Sequence, residues 1–266
     1  MSDKKPLVIG LAVAACVAVG GFFLCQKPRG PAPAEGMAAA PAGVPGAQPM
    51  VIPAPAAVDL TDSDGMFREK AKGLSGLPQF AQWLKTEDLL RRLTAAVFCV
   101  ADGTSPSESL SFLSPRKKFA VKKAGGRLVI DPKSYARYDG VAAVVGSIDA
   151  RAAASLIQSL GPWFQAASGE LGAPPRDFHA TLLKAIGSLL QTPVVERDIP
   201  LKEKVISFSI APMPDLQLEE LTAAQKHLLR MGPKNTAMVQ AKLRELALAL
   251  GAPAQSLPQQ RIYTAK

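Results

Sequence analysis

The sequence holds few residues whose types and spacing suit metal or cofactor chemistry. The two histidines, His179 and His227, lie far apart, and neither has the Cys or carboxylate spacing of a zinc site. The Asp-Ser-Asp-Gly sequence at 62–65 imitates part of a calcium loop, but Leu60 and Ala71 occupy positions where that loop needs ligands. We therefore predict no metal site and no cofactor, and interpret residues 62–65 as a cluster of helix-capping residues.

Nucleophilic catalysis has equally weak support in the sequence. Ser114 and Lys117 match an S-x-x-K pattern, but they fall in an irregular basic loop rather than at the start of a helix. Cys99 has apolar neighbours and no histidine nearby in sequence, which is typical of a small buried residue. We predict that the protein is not an enzyme, with a hydrolase built on unrecognised carboxylates as the alternative.

Two groups of residues are candidates for binding. The first is a basic segment that could contact a polyanion or anionic lipid, although lysines at a strand edge also serve solubility. Its members are Arg116, Lys117, Lys118, Lys122, Lys123 and Arg127. The second combines aromatic rings with cations, as interface hot spots do. Its members are Tyr135, Arg137, Tyr138, Lys226, Arg230 and Asn235.

The second group has a structural interpretation as well, which we favour. Arg230 would pair with a carboxylate such as Asp139, and Asn235 would cap a turn, so that both close the domain internally. The overall charge does not separate these possibilities, because a net charge of +9 is moderate for 266 residues.

These residues belong to a region predicted to be mainly α-helical and to extend over 59–252. A short helix over 67–72, capped by Asp62 or Ser63, precedes a second in which Trp83 is buried. Thr86 is predicted to cap a longer helix ending at Gly103. Its buried face consists of Leu89, Leu90, Leu93, Ala96, Val97 and Val100, and the side chains of Arg91, Thr94 and Phe98 point away from it.

A β-hairpin is predicted where Phe119 and Val121, then Leu128 and Ile130, alternate with polar residues around a Gly-Gly turn. Asp131 and Pro132 have the residue types that begin a helix. Further helices are predicted over 141–148, 151–160, 162–171 and 178–190, the last capped by Asp177. Alternation at 206–210 predicts a strand that could join the hairpin to make a three-stranded antiparallel sheet.

The C-terminal third has the clearest local signals. Thr222 and Gln225 form a capping box, Gly232 and Pro233 break and restart the helix, and Gly251 ends it. The face of this last helix consists of Val239, Leu243, Leu246 and Leu250. Residues 253–266 are predicted to be a flexible tail.

The N-terminus predicts a membrane anchor. Residues 7–24 carry no charge and no proline, and as a helix they would span about 27 Å, close to the hydrocarbon layer. A cleavable signal and lipidation at Cys16 are the alternatives, but the apolar run is long for a signal and continues well past that cysteine. We predict a cytoplasmic tail over 1–6, one transmembrane helix over 7–24 and a disordered linker over 25–58.

The linker prediction depends on composition, since residues 28–57 hold eight Pro, ten Ala and four Gly. The charges that flank the apolar run are nearly balanced, so the orientation follows from the short N-terminal tail. We therefore predict a single-pass protein of the inner membrane with a periplasmic domain.

Several sequence strings together resemble a known family. They include Leu-Leu-Arg-Arg at 89–92, Tyr-Ala-Arg-Tyr-Asp at 135–139, and above all Arg-Met-Gly-Pro-Lys-Asn at 230–235. The sequence from about 59 to 250 resembles a bacterial family of unknown function, domain-of-unknown-function family 3014. The resemblance implies a transmembrane helix, a Pro/Ala-rich spacer and a mostly helical domain, and it implies no activity or cofactor.

The function predicted from the sequence is binding rather than catalysis. A tethered domain on the exported side of the membrane would bind a protein or another envelope component. Contact with anionic lipid through the basic hairpin is a further alternative. Binding of nucleic acid or of a small-molecule cofactor is not expected.

Overall fold

The computed structural model describes residues 58–171, 176–204, 208–213 and 215–264. The predicted tail, transmembrane helix and nearly all of the linker lie outside these residues. Within them, no single helix combines the length and apolar character needed to cross a membrane. The pair Asp139–Ser147 and Ala150–Ser159 meets the length and composition requirement only jointly, across a 75° bend.

The described residues are mainly helical, as predicted, with short two-stranded sheets. The helices are α1 (Ser63–Ala71), α2 (Pro78–Trp83), α3 (Leu89–Ala101), α4 (Pro132–Ala136), α5 (Asp139–Ser147), α6 (Ala150–Ser159), α7 (Gly161–Glu170), α8 (Phe178–Leu190), α9 (Ala223–Leu229) and α10 (Pro233–Ala249). The strands are β1 (Val121–Ala124), β2 (Arg127–Ile130), β3 (Val194–Val195), β4 (Leu201–Glu203), β5 (Phe208–Ile210) and β6 (Ile262–Tyr263).

Helix α3 lies at the centre of the domain and packs against α1, α7 and α8. The prediction that Thr94 and Phe98 point away from the core is wrong, because their exposures are 0% and 6%. The hydroxyl of Thr94 donates to the carbonyl of Leu90 at 2.8 Å, which satisfies it without solvent. Neighbours on several sides bury more of a helix than one amphipathic face indicates.

The start of α3 is capped from another helix. Thr86 was predicted to cap it, but the structure assigns this role to Asp64 of α1, whose carboxylate accepts from the backbone N–H groups of Asp88 at 2.6 Å and Leu89 at 2.8 Å. The carboxylate also pairs with Arg68 at 3.2 Å. Asp62, at the N-cap position of α1, makes no side-chain capping bond. The cap therefore joins α1 to α3.

Replacing Asp64 with Ala is expected to destabilise the domain by about 1–2 kcal/mol, since two backbone donors lose their acceptor. Asp62→Ala is the matched control and should change the free energy of unfolding by less than about 0.5 kcal/mol. Urea unfolding of the full-length protein measures both. Equal losses in the two variants would contradict the capping role of Asp64.

The predicted hairpin is confirmed. Strands β1 and β2 are antiparallel, with Val121 opposite Ile130 and Ala124 opposite Arg127. Gly125 and Gly126 form the turn with φ values of 53° and 72°, which require glycine or a residue that tolerates positive φ. Asp131 caps α4 by accepting from the N–H of Lys133 at 2.8 Å. The turn and the cap each involve residues only a few positions apart in the chain, which explains why the sequence predicts them.

The prediction of a third strand in the hairpin sheet is wrong. Strand β5 pairs antiparallel with β4, with Leu201 opposite Ile210. An isolated bridge between Val129 and Pro200, and not a ladder of strand pairing, joins the hairpin to this second pair. A pair of short strands close in sequence forms with a smaller loss of chain entropy than a pairing with the distant hairpin.

The C-terminal segment also differs from the predicted flexible tail. Strand β6 pairs in parallel with β3, with Val194 opposite Ile262. Leu257 is buried at 7% exposure, and the guanidinium of Arg261 donates to the carbonyl of Gln191 at 2.6 Å. Main-chain pairing and one buried leucine hold the segment against the end of α8.

The largest apolar core cluster lies among α1, α3, α7 and α8. The rings of Phe164 and Phe178 stack at 4.4 Å, and Phe67 meets Phe164 edge-on at 6.4 Å. Trp83, predicted to be buried, is only partly buried and meets Phe112 at 6.4 Å. A second cluster, which includes Ile130, Val195, Ile199, Leu218 and Leu229, packs under the strands.

Candidate functional site

The structure brings together several residues of the predicted binding interface. The side chain of Asn235, which contacts two of the elements that hold them, is buried. Asn235, at 3% exposure, donates from Nδ2 to the carbonyls of Tyr135 at 3.1 Å and Met231 at 3.0 Å. The same amide also donates to Oδ1 of Asp139 at 2.9 Å. Asn235 therefore links the start of α10 to α4 and α5, as the structural interpretation requires.

Arg137 is held by aromatic rings and carbonyls. Its guanidinium carbon lies 5.5 Å from the ring centre of Phe119 and 5.2 Å from that of Tyr138. It donates to the carbonyls of Ser134 at 2.9 Å and Lys117 at 3.0 Å. These contacts fasten the segment before the hairpin to α4.

The predicted pairing of Arg230 with Asp139 is wrong, because the described residues contain no ion pair between them and Asn235 bonds the carboxylate instead. Burial lowers the pKa of Arg230, an effect that the neighbouring Tyr138 opposes. Burial also raises the pKa of Tyr135 to about 12, with a smaller contribution from Asp198. Lys226 donates to the carbonyl of Glu219 at 2.7 Å. Most members of this group therefore bond to or pack against other residues of the domain.

His227 lies beside this group, with Nε2 2.8 Å from the hydroxyl of Ser105. Burial, and secondarily the charge of Arg230, hold the pKa of His227 below its ordinary value of 6.5. As the pH falls, the unfolded chain therefore binds a proton more readily than the folded protein does. The associated stability is present above pH 6.5 and is lost as the pH falls toward the lowered folded-state value.

His227→Gln is expected to reduce the loss of stability on acidification, since glutamine keeps a hydrogen-bonding group but does not titrate. Urea unfolding above and below pH 6.5 measures this difference between wild type and variant. An identical pH dependence in the two proteins would show that protonation of His227 has no part in it.

The predicted basic segment is divided at Lys122 and Lys123, which lie on opposite sides of the hairpin because they are consecutive strand residues. Lys122 pairs with Asp198 at 3.4 Å, whereas Arg116, Lys117, Lys118, Lys123 and Arg127 are exposed. Alternation along β1 separates charges that the sequence places side by side.

An apolar cavity of about 390 Å³, partly open to the surface, lies against the largest core cluster. We call it the apolar cavity; its wall is formed by residues of α1, α2, α3, α5, α6, α7, α8 and α10 and of the segment around Phe112. Small side chains at Ala71, Ala96, Ala153 and Ala185 leave room between these helices. A concave apolar space of this size is a candidate ligand site.

The sequence did not predict this cavity. Its wall is apolar, and Lys242 is the one charged residue that lines it among those described. Alanines on helix faces indicate close packing as readily as empty space, so the only available signal was ambiguous. The volume of the cavity is set by the distances between the helices that line it, and these distances are a property of the folded domain.

A second, open depression adjoins the apolar cavity. We call it the polar cleft; it measures about 650 Å³ and is lined by Asp149, Ala150, Arg151, Lys242, Glu245, Leu248 and Ala249. Asp149 caps α6 by accepting from the N–H groups of Arg151 and Ala152, both at 2.9 Å. The bond from Ala152 is the main cause of the lowered pKa of Asp149. Lys242 pairs with Glu245 at 2.5 Å.

In the part of the chain that the structure describes, no three His, Cys, Asp or Glu side chains are placed to hold a metal ion. His179 is exposed on α8, with Nε2 3.2 Å from the carbonyl of Leu250. Cys99 lies half-buried on α3.

Comparison with known families matches residues 89–247 to the model of a protein family of unknown function, DUF3014. The match runs from the first residue of α3 into α10 and includes the string at 230–235. The chain belongs to this family. The matched range is shorter than the resemblance that the sequence strings indicated. No curated protein and no solved structure matches the chain.

Proposed function

We propose that this protein is a membrane-tethered binding protein whose helical domain takes up an envelope component. The observation that carries the proposal is the apolar cavity, whose wall favours the burial of hydrocarbon. An engineered apolar cavity of about 150 Å³ binds benzene, so a cavity of about 390 Å³ has room for a considerably larger apolar group. The protein partner expected from the sequence would contact the outer surface of the domain.

The tether is part of this proposal. The uncharged run at 7–24 supports a single inner-membrane helix, and the Pro/Ala-rich linker supports a domain held near the bilayer. The short N-terminal tail supports a periplasmic domain. A domain held near a bilayer has ready access to apolar ligands.

Three carboxylates of the domain are shifted away from the pKa that acid catalysis requires. Hydrogen bonds lower the pKa values of Asp59, Asp149 and Glu170. A general acid at neutral pH needs the opposite shift. The hydrolase alternative would require a carboxylate with a raised pKa facing a cavity.

The test uses full-length protein in lipid nanodiscs with Trp163→Phe as the background, so that Trp83, which lines the apolar cavity, is the remaining tryptophan. A bromoalkane should quench its fluorescence saturably, because the probe enters the cavity. Ala153→Leu should fill part of the cavity and raise the apparent dissociation constant of the bromoalkane at least tenfold. It should also raise the free energy of unfolding by about 0.5–2 kcal/mol.

Ala152→Leu is the matched control, because the neighbouring Ala152 is exposed and does not line the cavity. It should leave the quenching unchanged. Quenching that never saturates, or that Ala153→Leu leaves intact, would refute binding in the cavity.

A further inference from the structure

The apolar cavity and the polar cleft meet at two residues, Ala150 and Lys242. Lys242 is only 17% exposed, and the cavity wall to which it contributes is apolar. Its aliphatic stem therefore lines the apolar cavity while its ammonium group reaches Glu245 in the polar cleft. A single side chain thus marks the boundary between an apolar interior and a charged opening.

From this arrangement we infer that the apolar cavity and the polar cleft form one site for a single-chain amphiphile with an anionic head. The hydrocarbon chain occupies the apolar cavity, and a carboxylate or phosphate head lies beside Lys242 and Arg151. The inference rests on the proposed function and adds the chemical class of the ligand.

The polar cleft is lined by two cations, Lys242 and Arg151, and by two carboxylates, Asp149 and Glu245, and the charges of both cations act on Asp149. An anionic head therefore has to take the place of a carboxylate beside these cations. Arg151 is exposed, and its guanidinium makes no hydrogen bond or ion pair with the described part of the chain. The Oδ1 atom of Asp149 is occupied by two backbone N–H groups at the start of α6. The partner of Lys242 is Glu245, which is 55% exposed. An exposed ion pair contributes little free energy, so an anionic head can replace this carboxylate.

A photolabelling experiment on the full-length protein in nanodiscs tests the ligand class. The probes share one dodecyl chain with a terminal diazirine and differ only in the head, which is a carboxylate, a phosphate or a trimethylammonium group. Both anionic probes should saturably label peptides of α3 and α8, which line the apolar cavity but not the polar cleft. The cationic probe should label them at least tenfold less. The ratio of carboxylate to phosphate labelling then distinguishes a fatty acid from a phosphate-bearing lipid.

Variants of the polar cleft sharpen the test. Lys242→Met keeps an apolar stem and removes the charge, so it should weaken labelling by the anionic probes about tenfold, as expected for a hydrogen bond to a charged group. Glu245→Gln removes the competing carboxylate and should strengthen labelling. Lys184→Met, at an exposed α8 position outside both the cavity and the cleft, is the control and should change nothing.

The outcomes separate this inference from the proposed function. Labelling of α3 and α8 that is equal for all three heads, or unchanged in Lys242→Met, overturns the anionic head while the apolar cavity remains a binding site. If no probe labels α3 or α8 saturably, both the inference and the proposed function fail.

Discussion

Replacing Gly232 with Ala should destabilise the domain by about 3 kcal/mol or more. Two causes add together. Gly232 has φ 84° and ψ 164°, a region that is essentially restricted to glycine and costs other residues roughly 1–3 kcal/mol. An added Cβ would also lie 2.4 Å from Cγ and 2.6 Å from Cβ of Tyr135. Those atoms are at the base of the side chain, so the ring cannot swing aside.

Gly251→Ala separates the two causes. Gly251 also has a positive φ, 94°, but no neighbouring heavy atom lies within 4 Å of an added Cβ. This variant should lose only the conformational part, about 1–2 kcal/mol. Urea unfolding of both full-length variants gives the comparison. If they lose the same stability, the contact with Tyr135 does not restrict position 232.

Replacing Asn235 is expected to destabilise the domain as well. Asn235→Ala should cost about 2–4 kcal/mol, because it removes a buried amide that donates to the carbonyls of Tyr135 and Met231 and to Oδ1 of Asp139. Among the described residues, the carbonyl of Tyr135 then keeps only the bond from the N–H of Tyr138 at 2.9 Å. Asn235→Asp should cost more at neutral pH. It would place an acceptor against those carbonyls and a second carboxylate beside Asp139, which lies 2.9 Å from the present amide.

The Asn235→Asp loss should depend on pH in a defined direction. The surrounding acceptors raise the folded-state pKa of the new carboxyl group, so protonation favours the folded protein, and the deficit relative to wild type shrinks as the pH falls. Urea unfolding of both proteins over a pH series measures this. Lys234→Ala, at the exposed neighbouring position, is the control and should stay within about 0.5 kcal/mol of wild type. A deficit that does not change with pH would contradict this account of Asn235.

Much of the secondary structure could be predicted because its signals are local. Thr222 and Gln225 form the expected capping box, with bonds of 3.2 and 2.9 Å between each side chain and the other backbone. Asp177 caps α8 as predicted, accepting from the N–H of Ala180 at 2.6 Å. In each case a few consecutive residues contain both the donor and the acceptor, so no distant contact is needed.

Helix α10 shows where this reasoning fails. Its apolar positions predict one buried face, yet Asn235, Thr236 and Gln240 are all buried at 3% or less. The amide of Gln240 donates to the carbonyls of Leu189 at 3.1 Å and Thr192 at 2.8 Å, at the end of α8. Polar residues resemble a solvent-exposed face in the sequence until the distant carbonyls that they bond are known.

The sequence by itself determined the hairpin, the caps at 131, 177 and 222, the break at Gly232 and the family to which the chain belongs. Only the tertiary structure decided that Asp64 caps α3, which groups the amide of Asn235 bonds, and that the helices leave an apolar cavity between them. The physical reason is the separation along the chain between the groups that interact. Caps and turns are satisfied within a few residues, whereas a cavity and a buried amide depend on elements that are distant in the chain and meet only in the folded domain.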